Sequence, residues 1–294
     1  DSPRELISQE ANRILFSSQA IDLNAWSDCF RAWPNPPKDW APWYHRVAQE
    51  YSSLWHEIGI ADALSLTLSF LEKDENLLRT IPYFWSDAIN CFLFGHGPMT
   101  LTLLDVVMIT GLDISSPCPS AFSTPVSPYV LSSKGSITNW TAYLGQYCKS
   151  GGPVDEKEHT AFLNMWLELF LFCGPSLAPT RNYISLAYDL AAGEKVGLGK
   201  LFLGEVYRLL HLSVSGLLGG KKPRTGGPWW FIQLWAHLYF QSHLPHSPLW
   251  LAVLFRTAMA GVLSALVMAR LFTGNPALLC PRGGLLIGLK PSSE

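Results

Sequence analysis

The chain has 294 residues, of which 48% are hydrophobic and only 15% are charged, and its net charge is −2. Soluble domains carry about 25% charged residues, so much of this chain is expected to be buried, in one extended domain or two. Six scattered cysteines without a C-x-x-C pair argue against a disulfide-framed secreted protein and favour reduced thiols.

The charges are divided unevenly along the chain. Residues 1–205 hold 13 Lys and Arg against 22 Asp and Glu, a balance of −9. Residues 206–293 contain 8 Lys and Arg and no carboxylate. Such a basic region is typical of proteins that bind an anionic partner such as nucleic acid. The alternative, which the sequence leaves open, is that the basic third packs against the acidic two-thirds within one fold.

The first predicted elements are helices. Residues 2–14 have the alternating charge of a surface helix, and the Trp- and Pro-rich residues 26–43 predict an irregular or short-helical segment. Residues 43–71 have helical spacing as far as a break at Gly59. Asp74 then has the position of an N-cap for a helix that Pro82 ends.

Residues 84–112 have the most informative pattern. Apolar runs on both sides of a Gly- and Pro-containing turn at 95–98 predict a β-hairpin over residues 90–101. Thr102 and Asp105 have the spacing of a capping box, and an apolar run leads from them to Gly111. The hairpin is therefore expected to run directly into a capped helix.

The next elements frame a central helix. Residues 113–158 are rich in Ser, Pro, Gly and Thr and predict a long loop, in which the acidic run at 155–158 is expected to be solvated. Residues 161–173 are apolar nearly all round, so Glu168 must lie at an edge or be paired. Further helices are predicted over residues 183–192, 201–212, 229–241 and 249–272.

The last of these segments, residues 249–272, approaches the length of a membrane-spanning helix. Arg256 and Arg270 interrupt it, and only thirteen apolar residues lie between them. A charge inside a span is costly, and thirteen residues is the length of a buried core helix. We therefore expect no membrane insertion, although the same segment is also suited to an interface.

Three sequences that are typical of catalytic or metal sites lack the partners that such sites require. The glycine-flanked His96 resembles an esterase oxyanion loop, but no G-x-S-x-G motif occurs. Lys200, in a G-L-G-K sequence, has no phosphate-binding cup that would make it a cofactor lysine, and it is expected to be solvated. His237, His243 and His246 lack neighbouring Cys or carboxylate ligands for zinc. No catalytic residue, cofactor or metal is expected.

The best candidate for recognition is a basic loop followed by two aromatic residues. These residues could contact a partner or a nucleic acid. On a nucleic acid, Lys221, Lys222 and Arg224 would bind backbone phosphates, and Trp229 and Trp230 would stack on bases. The alternative is a mobile basic loop with both tryptophans turned into the core.

The pattern at residues 84–112 resembles the plant mobile domain, also called the aminotransferase-like plant mobile domain. Blocks that begin at residues 159, 184, 197 and 226 extend the resemblance over roughly residues 43–240. The residues that match the family's structural signature are Trp85, Phe92, Gly97, Thr102, Asp105, Gly111 and Trp166. The family usually carries Glu after the turn glycine, whereas this chain has Pro98.

The predicted fold is mainly α: a compact multi-helix domain with the small hairpin of residues 90–101 and long irregular loops. Residues 1–42 are expected to be an N-terminal extension, helical and rich in Pro and Trp. Residues 43–245 form the expected plant mobile domain core, and residues 246–294 an apolar helix and irregular tail packed on that core.

The resemblance implies a nuclear plant protein related to the MAINTENANCE OF MERISTEMS proteins and to domains of transposable elements. It implies roles in transposon silencing, gene-expression control and meristem and genome maintenance. The implied partner is a phosphoprotein-phosphatase-like protein or another plant mobile domain protein. We expect a non-enzymatic interaction scaffold without a signal peptide. The alternatives are a nucleic-acid-binding module that uses the basic C-terminal third, and an enzyme of the kind that the aminotransferase-like name suggests.

Overall fold

The computed structural model describes residues 32–69, 71–95, 97–118, 137–176, 178–218 and 226–240, together with Glu5, Trp26, Phe30 and Leu131. The helices are α1 Trp40–Glu57, α2 Ala61–Ser65, α3 Glu75–Thr80, α4 Leu103–Thr110, α5 Trp140–Tyr147, α6 Glu156–Met165, α7 Ile184–Ala191, α8 Leu198–Leu218 and α9 Trp229–Tyr239. Short 3₁₀ turns lie at Leu66–Leu68 and Ile81–Phe84, and a π-helix at Trp166–Leu171. The strands are β1 Trp85–Ser86, β2 Cys91–Phe94 and β3 Gly97–Met99. The mainly α fold with a small hairpin is confirmed.

Helix α1 begins three residues before the predicted start at residue 43. Pro42 fits inside its first turn because the first four N–H groups of a helix have no intrahelical acceptor to lose. Trp40, Trp43 and Trp55 bury one face of α1. The predicted break is confirmed, since Gly59 has a φ of +72° that favours glycine.

The hairpin of β2 and β3 is the core of a three-stranded antiparallel sheet in the order β1-β2-β3. Its turn is tighter than predicted, because Phe94 pairs with Gly97 and only residues 95 and 96 connect the strands. Pro98 belongs to β3 rather than to the turn, which an edge strand allows because one side of it needs no ladder donor. Strand β1 is an addition that the sequence pattern did not indicate, and Trp85 pairs there with Phe92.

The capping box before α4 is confirmed. The Thr102 hydroxyl accepts the Asp105 N–H at 3.2 Å, and Asp105 Oδ2 accepts the Thr102 N–H at 2.6 Å. Helix α4 ends at Gly111, whose φ is +68°. The Asp74 cap of α3 is also confirmed, since its Oδ1 accepts the Leu77 N–H at 3.0 Å.

The prediction of a structureless loop over residues 113–158 is wrong in its second half. Helix α5 lies there, capped by Asn139, whose side chain accepts the Ala142 N–H at 2.8 Å. Trp140, Tyr143, Leu144 and Tyr147 are buried with the spacing i, i+3, i+4, i+7 of one helix face. The surrounding Ser and Gly residues outweighed this short apolar stripe in the sequence interpretation.

Helix α6 and the π-helix together form the predicted central element, which begins at Glu156 rather than near residue 160. All residues of α6 from Glu158 onward are buried. Helices α5, α7 and α1 pack against α6. The element ends at Cys173, whose φ of +47° is uncommon for a residue other than glycine.

Helices α8 and α9 complete one aromatic core. Phe202 of α8 lies 5.0 Å from Phe231 of α9, measured between ring centroids. Trp229 of α9 makes edge contacts with Trp26 and Phe30, so the N-terminal tryptophan shares this core. None of the helices within the described ranges is long and apolar enough to cross a membrane. The predicted segments 2–14 (apart from Glu5) and 249–272 lie outside the described residues.

Candidate functional site

The predicted recognition residues fall into two groups. Lys221, Lys222 and Arg224 lie outside the described residues. Trp229 and Trp230 begin α9 and expose only 2% and 7% of their surface. The Trp230 indole donates to the Leu171 carbonyl at 3.1 Å, so its polar edge is also occupied. Because neither ring presents a free face, the alternative in which both tryptophans turn into the core is the one observed.

The G-L-G-K sequence at residues 197–200 is hydrogen-bonded to the loop that follows α4, at residues 113–116. Lys200 Nζ donates to the carbonyl oxygens of Ser116 at 2.9 Å and Ser115 at 3.4 Å. The backbone N–H of Gly199 donates to the Asp113 carbonyl at 2.9 Å. The sequence predicted a solvated Lys200. The structure instead shows a half-buried side chain whose ammonium group donates to two backbone carbonyl oxygens.

The glycines of this sequence permit a close backbone approach. A Cβ atom at Gly197 would lie 2.3 Å from the Ser116 carbonyl oxygen. A Cβ atom at Gly199 would lie 2.7 Å from Ile114 Cγ2. The two glycines thus allow α8 to pack closely against residues 114–116. These contacts do not form a phosphate-binding loop.

Asp113 organises the same loop from the other side. Its Oδ1 accepts the Ser115 N–H at 2.7 Å, the Ser115 hydroxyl at 2.6 Å and the Ser116 N–H at 3.3 Å. Partial burial pushes the pKa of Asp113 upward, but these hydrogen bonds outweigh it and lower the pKa to about 2. The carboxylate is ionised at neutral pH, and its Oδ1 holds the loop through these three hydrogen bonds.

The prediction of a solvated acidic loop at 155–158 holds for the exposure of Asp155 and Glu156 but is wrong for Glu158, because the helix α6 begins at Glu156 and buries Glu158. Glu158 is buried, and its Oε1 accepts from Trp43 Nε1 at 3.2 Å, Arg46 Nε at 3.0 Å and the Lys149 N–H at 3.3 Å. Arg46 Nη2 also lies 3.2 Å from Oε2. Asp155 caps α6 by accepting the Glu158 N–H at 2.8 Å. These contacts tie α1 to the start of α6.

His159 follows Glu158 and is fully buried. Its Nε2 accepts the Trp55 indole N–H at 3.0 Å, and its ring stacks on Tyr51 with centroids 3.7 Å apart. Nδ1 carries the proton in this tautomer and has no hydrogen-bond partner. Burial lowers the pKa of His159 to about 3, so the ring is neutral and serves as an acceptor within the core.

Glu168 lies in the π-helix and is also buried. Its Oε2 accepts the Thr180 N–H at 2.7 Å, whereas Oε1 has no hydrogen-bond partner. Burial raises the pKa of Glu168 to about 7, against the opposing hydrogen bonds from Thr180 and Tyr183. The sequence expectation that Glu168 is paired is met for one oxygen only. A half-satisfied carboxyl group of this kind holds its proton near neutral pH.

Helix α9 is tied to two distant segments. Gln233 Oε1 accepts the Asp74 N–H at 2.8 Å and its Nε2 donates to the Glu72 carbonyl at 2.7 Å. At the end of the helix, the Tyr239 hydroxyl donates to Asp105 Oδ1 at 2.6 Å. The signature residue Asp105 therefore joins α4 to α9 as well as capping α4. Sequence reasoning missed Gln233, since a single amide in an aromatic helix has no local pattern.

A small cavity opens beside α9. It has a volume of about 60 Å³ and an apolar lining that includes Pro34, Leu71, Phe170, Trp230 and Leu234. This volume is about that of a few methyl groups, and none of the lining side chains is titratable. The polar side chains in its lining are the hydroxyls of Thr67 and Ser69, and no carboxyl, imidazole, amine or thiol group joins them there.

No metal-binding cluster of three or more His, Cys, Asp or Glu side chains occurs in the part of the chain that the structure describes. His237 is buried, and its Nε2 lies 4.0 Å from Asp74 Oδ2. His96, His243 and His246 lie outside the described residues. Cys91 and Cys173 are buried free thiols, as predicted, whereas Cys118 is exposed.

The signature residues lie in the sheet, in α4 with its two ends, and in the central element, and the side chains of Trp85, Phe92 and Trp166 belong to one hydrophobic core. Trp85 and Phe92 face each other across β1 and β2, Gly97 opens β3, and Trp166 begins the π-helix. The sequence model of the plant mobile domain family matches residues 59–260, more than half of the chain. No curated protein and no solved structure matches the chain. The chain belongs to the plant mobile domain family.

Proposed function

We propose that this protein is a non-enzymatic scaffold for protein interaction. The observation that carries the proposal is the use of the polar side chains in the family-like blocks. Asp105, His159, Lys200 and Gln233 all engage in hydrogen bonds that connect elements of the fold. Enzyme active sites instead gather acids, bases or nucleophiles around a concave site.

Family membership supports the biological part of the proposal. By resemblance to other plant mobile domain proteins, the protein acts in the nucleus in transposon silencing, gene-expression control and meristem and genome maintenance. The partner proposed is a phosphoprotein-phosphatase-like protein or a second plant mobile domain protein. Exposed apolar side chains on separate elements offer contact surfaces for such a partner, namely Leu68, Leu104, Leu212 and Tyr239.

The test is a binding measurement with purified proteins. The full chain is mixed with a plant phosphoprotein-phosphatase-like protein or with another plant mobile domain protein, and complex formation is followed by sedimentation velocity. Leu68→Glu and Leu212→Glu are compared as matched variants, since both leucines are exposed to a similar extent, 40% and 42%. We expect the wild-type chain to form a stable complex. We also expect one of the two variants to lose this complex and the other to keep it. Failure to bind both proteins at micromolar concentrations contradicts the proposal.

Nucleic-acid binding is the second candidate, and the charge distribution favours it. Residues 206–293 carry 8 Lys and Arg without a carboxylate. Each phosphate contact contributes about 0.9 to the slope of log K against log salt on B-DNA. Replacement of Lys221, Lys222 and Arg224 by Ala is therefore expected to reduce that slope by about 2 to 3 if all three contact phosphates.

A matched control for this experiment is replacement by Ala of Lys38, Lys157 and Lys195, three lysines that the structure shows to be exposed. Both triple variants lose the same formal charge, so a specific basic loop predicts a smaller salt slope in the first variant only. Binding to DNA and RNA that is negligible in wild type at low salt rejects this candidate and leaves the protein-interaction scaffold unaffected.

A further inference from the structure

The outward side of α4 is apolar. Leu103, Leu104, Val107 and Met108 lie at positions i, i+1, i+4 and i+5, which share one side of a helix. Leu104 is 59% exposed and the other three are partly exposed. The helix has a single charged residue, Asp105, and it is buried in the capping box. No charge of α4 itself therefore interrupts this surface.

Tyr239 extends the surface from the neighbouring helix. Its side chain is 52% exposed, and its hydroxyl is fixed 2.6 Å from Asp105 Oδ1. Leu104 and Tyr239 have the two largest exposures among the large hydrophobic residues that the structure describes. Leu104, Val107, Met108 and Tyr239 are called the α4 patch below. Large apolar side chains that are exposed on two neighbouring helices are typical of a contact site.

The chain itself supplies a suitable occupant. Tyr239 ends the last described helix, so the chain leaves the described part of the fold beside the α4 patch. Residues 241–248 can span at most about 29 Å before residue 249. Residues 249–272 follow, apolar except for a few small polar residues and two arginines. The family match extends to residue 260, so part of this segment belongs to the conserved domain unit.

Charge complementarity points in the same direction. A Cβ atom at Gly111 would lie 2.7 Å from Asp62 Oδ2, so this exposed carboxylate lies at the C-terminal end of α4. Asp113 follows two residues after Gly111 and is ionised. The segment brings Arg256 and Arg270 and no carboxylate. Cations are also favoured at the C-terminal end of a helix, where the carbonyl groups are unpaired.

We propose that the α4 patch binds residues 249–272 of the same chain, with an arginine of that segment directed toward Asp62. The inference goes beyond the proposed scaffold function and does not depend on it. A partner that needs the α4 patch would have to displace this segment, whereas partners of other surfaces would not.

The test is site-specific photo-crosslinking in the full chain. Benzoylphenylalanine replaces Leu104 in one preparation and Leu68 in another, because both leucines are exposed but lie on different elements. After irradiation, crosslinked peptides are identified by mass spectrometry. A 1:1 mixture of ¹⁵N-labelled and unlabelled chains separates crosslinks within one molecule from those between two. Circular dichroism verifies that both preparations are folded.

The expected result is a crosslink from position 104 to residues 249–272 within one molecule, at a yield unchanged by hundredfold dilution, and none from position 68. Arg256→Glu and Arg270→Glu together are expected to reduce the yield at least threefold. The proposal is overturned if position 104 gives no crosslink to this segment or if position 68 reaches it equally. Crosslinks to this segment in which about half join a labelled to an unlabelled chain would overturn the proposal and assign the α4 patch to a second copy.

Discussion

Arg46 Nε lies 3.0 Å from Glu158 Oε1, and Arg46 Nη2 lies 3.2 Å from Oε2, across 112 residues of sequence. The carboxylate is fully buried, whereas the guanidinium retains 21% of its exposure. Arg46 Nη1 also donates to the Gly152 carbonyl at 2.9 Å. One arginine therefore connects α1 both to the start of α6 and to the loop that precedes it.

Glu158→Gln is expected to destabilise the protein by about 2 to 3 kcal/mol, because hydrogen bonds to a charged group are lost and the guanidinium is left without its counter-ion. Urea unfolding at pH 7 measures the change. Glu156→Gln is the matched control, since it lies in the same helical turn but is exposed. Its expected effect is below about 1 kcal/mol. Equal losses in both variants would contradict the structural role of Glu158.

Because the pKa of Glu168 is raised, we expect the folded protein to lose stability as the pH rises. Its pKa is about 7 in the folded protein against 4.5 as the ordinary value, so the folded state keeps the proton to higher pH than the unfolded chain. The free energy of unfolding therefore falls as pH rises from 4.5 to 7, by about 3 kcal/mol. Glu168→Gln removes this term and is expected to be more stable than wild type at pH 8. Urea unfolding at pH 5 and pH 8 measures it. A variant whose pH profile runs parallel to that of wild type would disprove the assignment, and exposed Glu194→Gln serves as control.

The lowered pKa of His159 has the opposite effect: through this residue we expect the folded protein to lose stability as the pH falls. Its pKa is about 3 in the folded protein against 6.5, so the unfolded chain takes up a proton first as pH falls. Between pH 7.5 and pH 4.5 the folded state is expected to lose about 3 kcal/mol through this residue. His159→Phe removes the dependence at the cost of the Trp55 hydrogen bond, and exposed His45→Phe leaves it unchanged. The quantity to compare is the difference in unfolding free energy between these two pH values. An identical difference in wild type and His159→Phe would refute the prediction.

Two glycines of α8 provide a matched pair. A Cβ atom at Gly204 meets nothing within 4 Å, so Gly204→Ala is expected to stabilise the helix by about 0.5 to 1 kcal/mol. A Cβ atom at Gly199 would lie 2.7 Å from Ile114 Cγ2 and 3.1 Å from the Asp113 carbonyl oxygen. Gly199→Ala is therefore expected to destabilise by about 1 to 3 kcal/mol despite the same gain in helix propensity. Thermal unfolding of the two variants tests this, and a shift of both in the same direction would be inconsistent with the packing.

The sequence was sufficient where a structure depends on neighbouring residues. The capping box of Thr102 and Asp105 and the left-handed end at Gly111 lie within ten residues, and all were predicted. The hairpin was also predicted, because its strands are joined by only two residues. Strand β1 was missed, since a two-residue strand has no periodicity of its own.

The contacts between distant residues were not predictable from the sequence. Glu158 belongs to an acidic run that is normally solvated, and only the approach of Arg46 and Trp43 from α1 makes its burial favourable. Lys200 was likewise expected to be in solvent. The two carbonyl oxygens that accept from its ammonium group belong to residues 115 and 116, which are far from it in the sequence. The residues next to Glu158 and Lys200 in the sequence therefore give no indication of either set of partners.

The bonds of Gln233 have a consequence for synthesis of the chain. This residue of α9 forms hydrogen bonds with the backbone of Glu72 and Asp74, which precede it by 161 and 159 residues. At a translation rate of about 5 to 20 residues per second, the segment around Asp74 is synthesised roughly 8 to 30 seconds before its partner. Throughout that interval the apolar surfaces that α9 covers in the folded protein lack this partner, and unpaired apolar surface of this kind makes a nascent chain prone to aggregation.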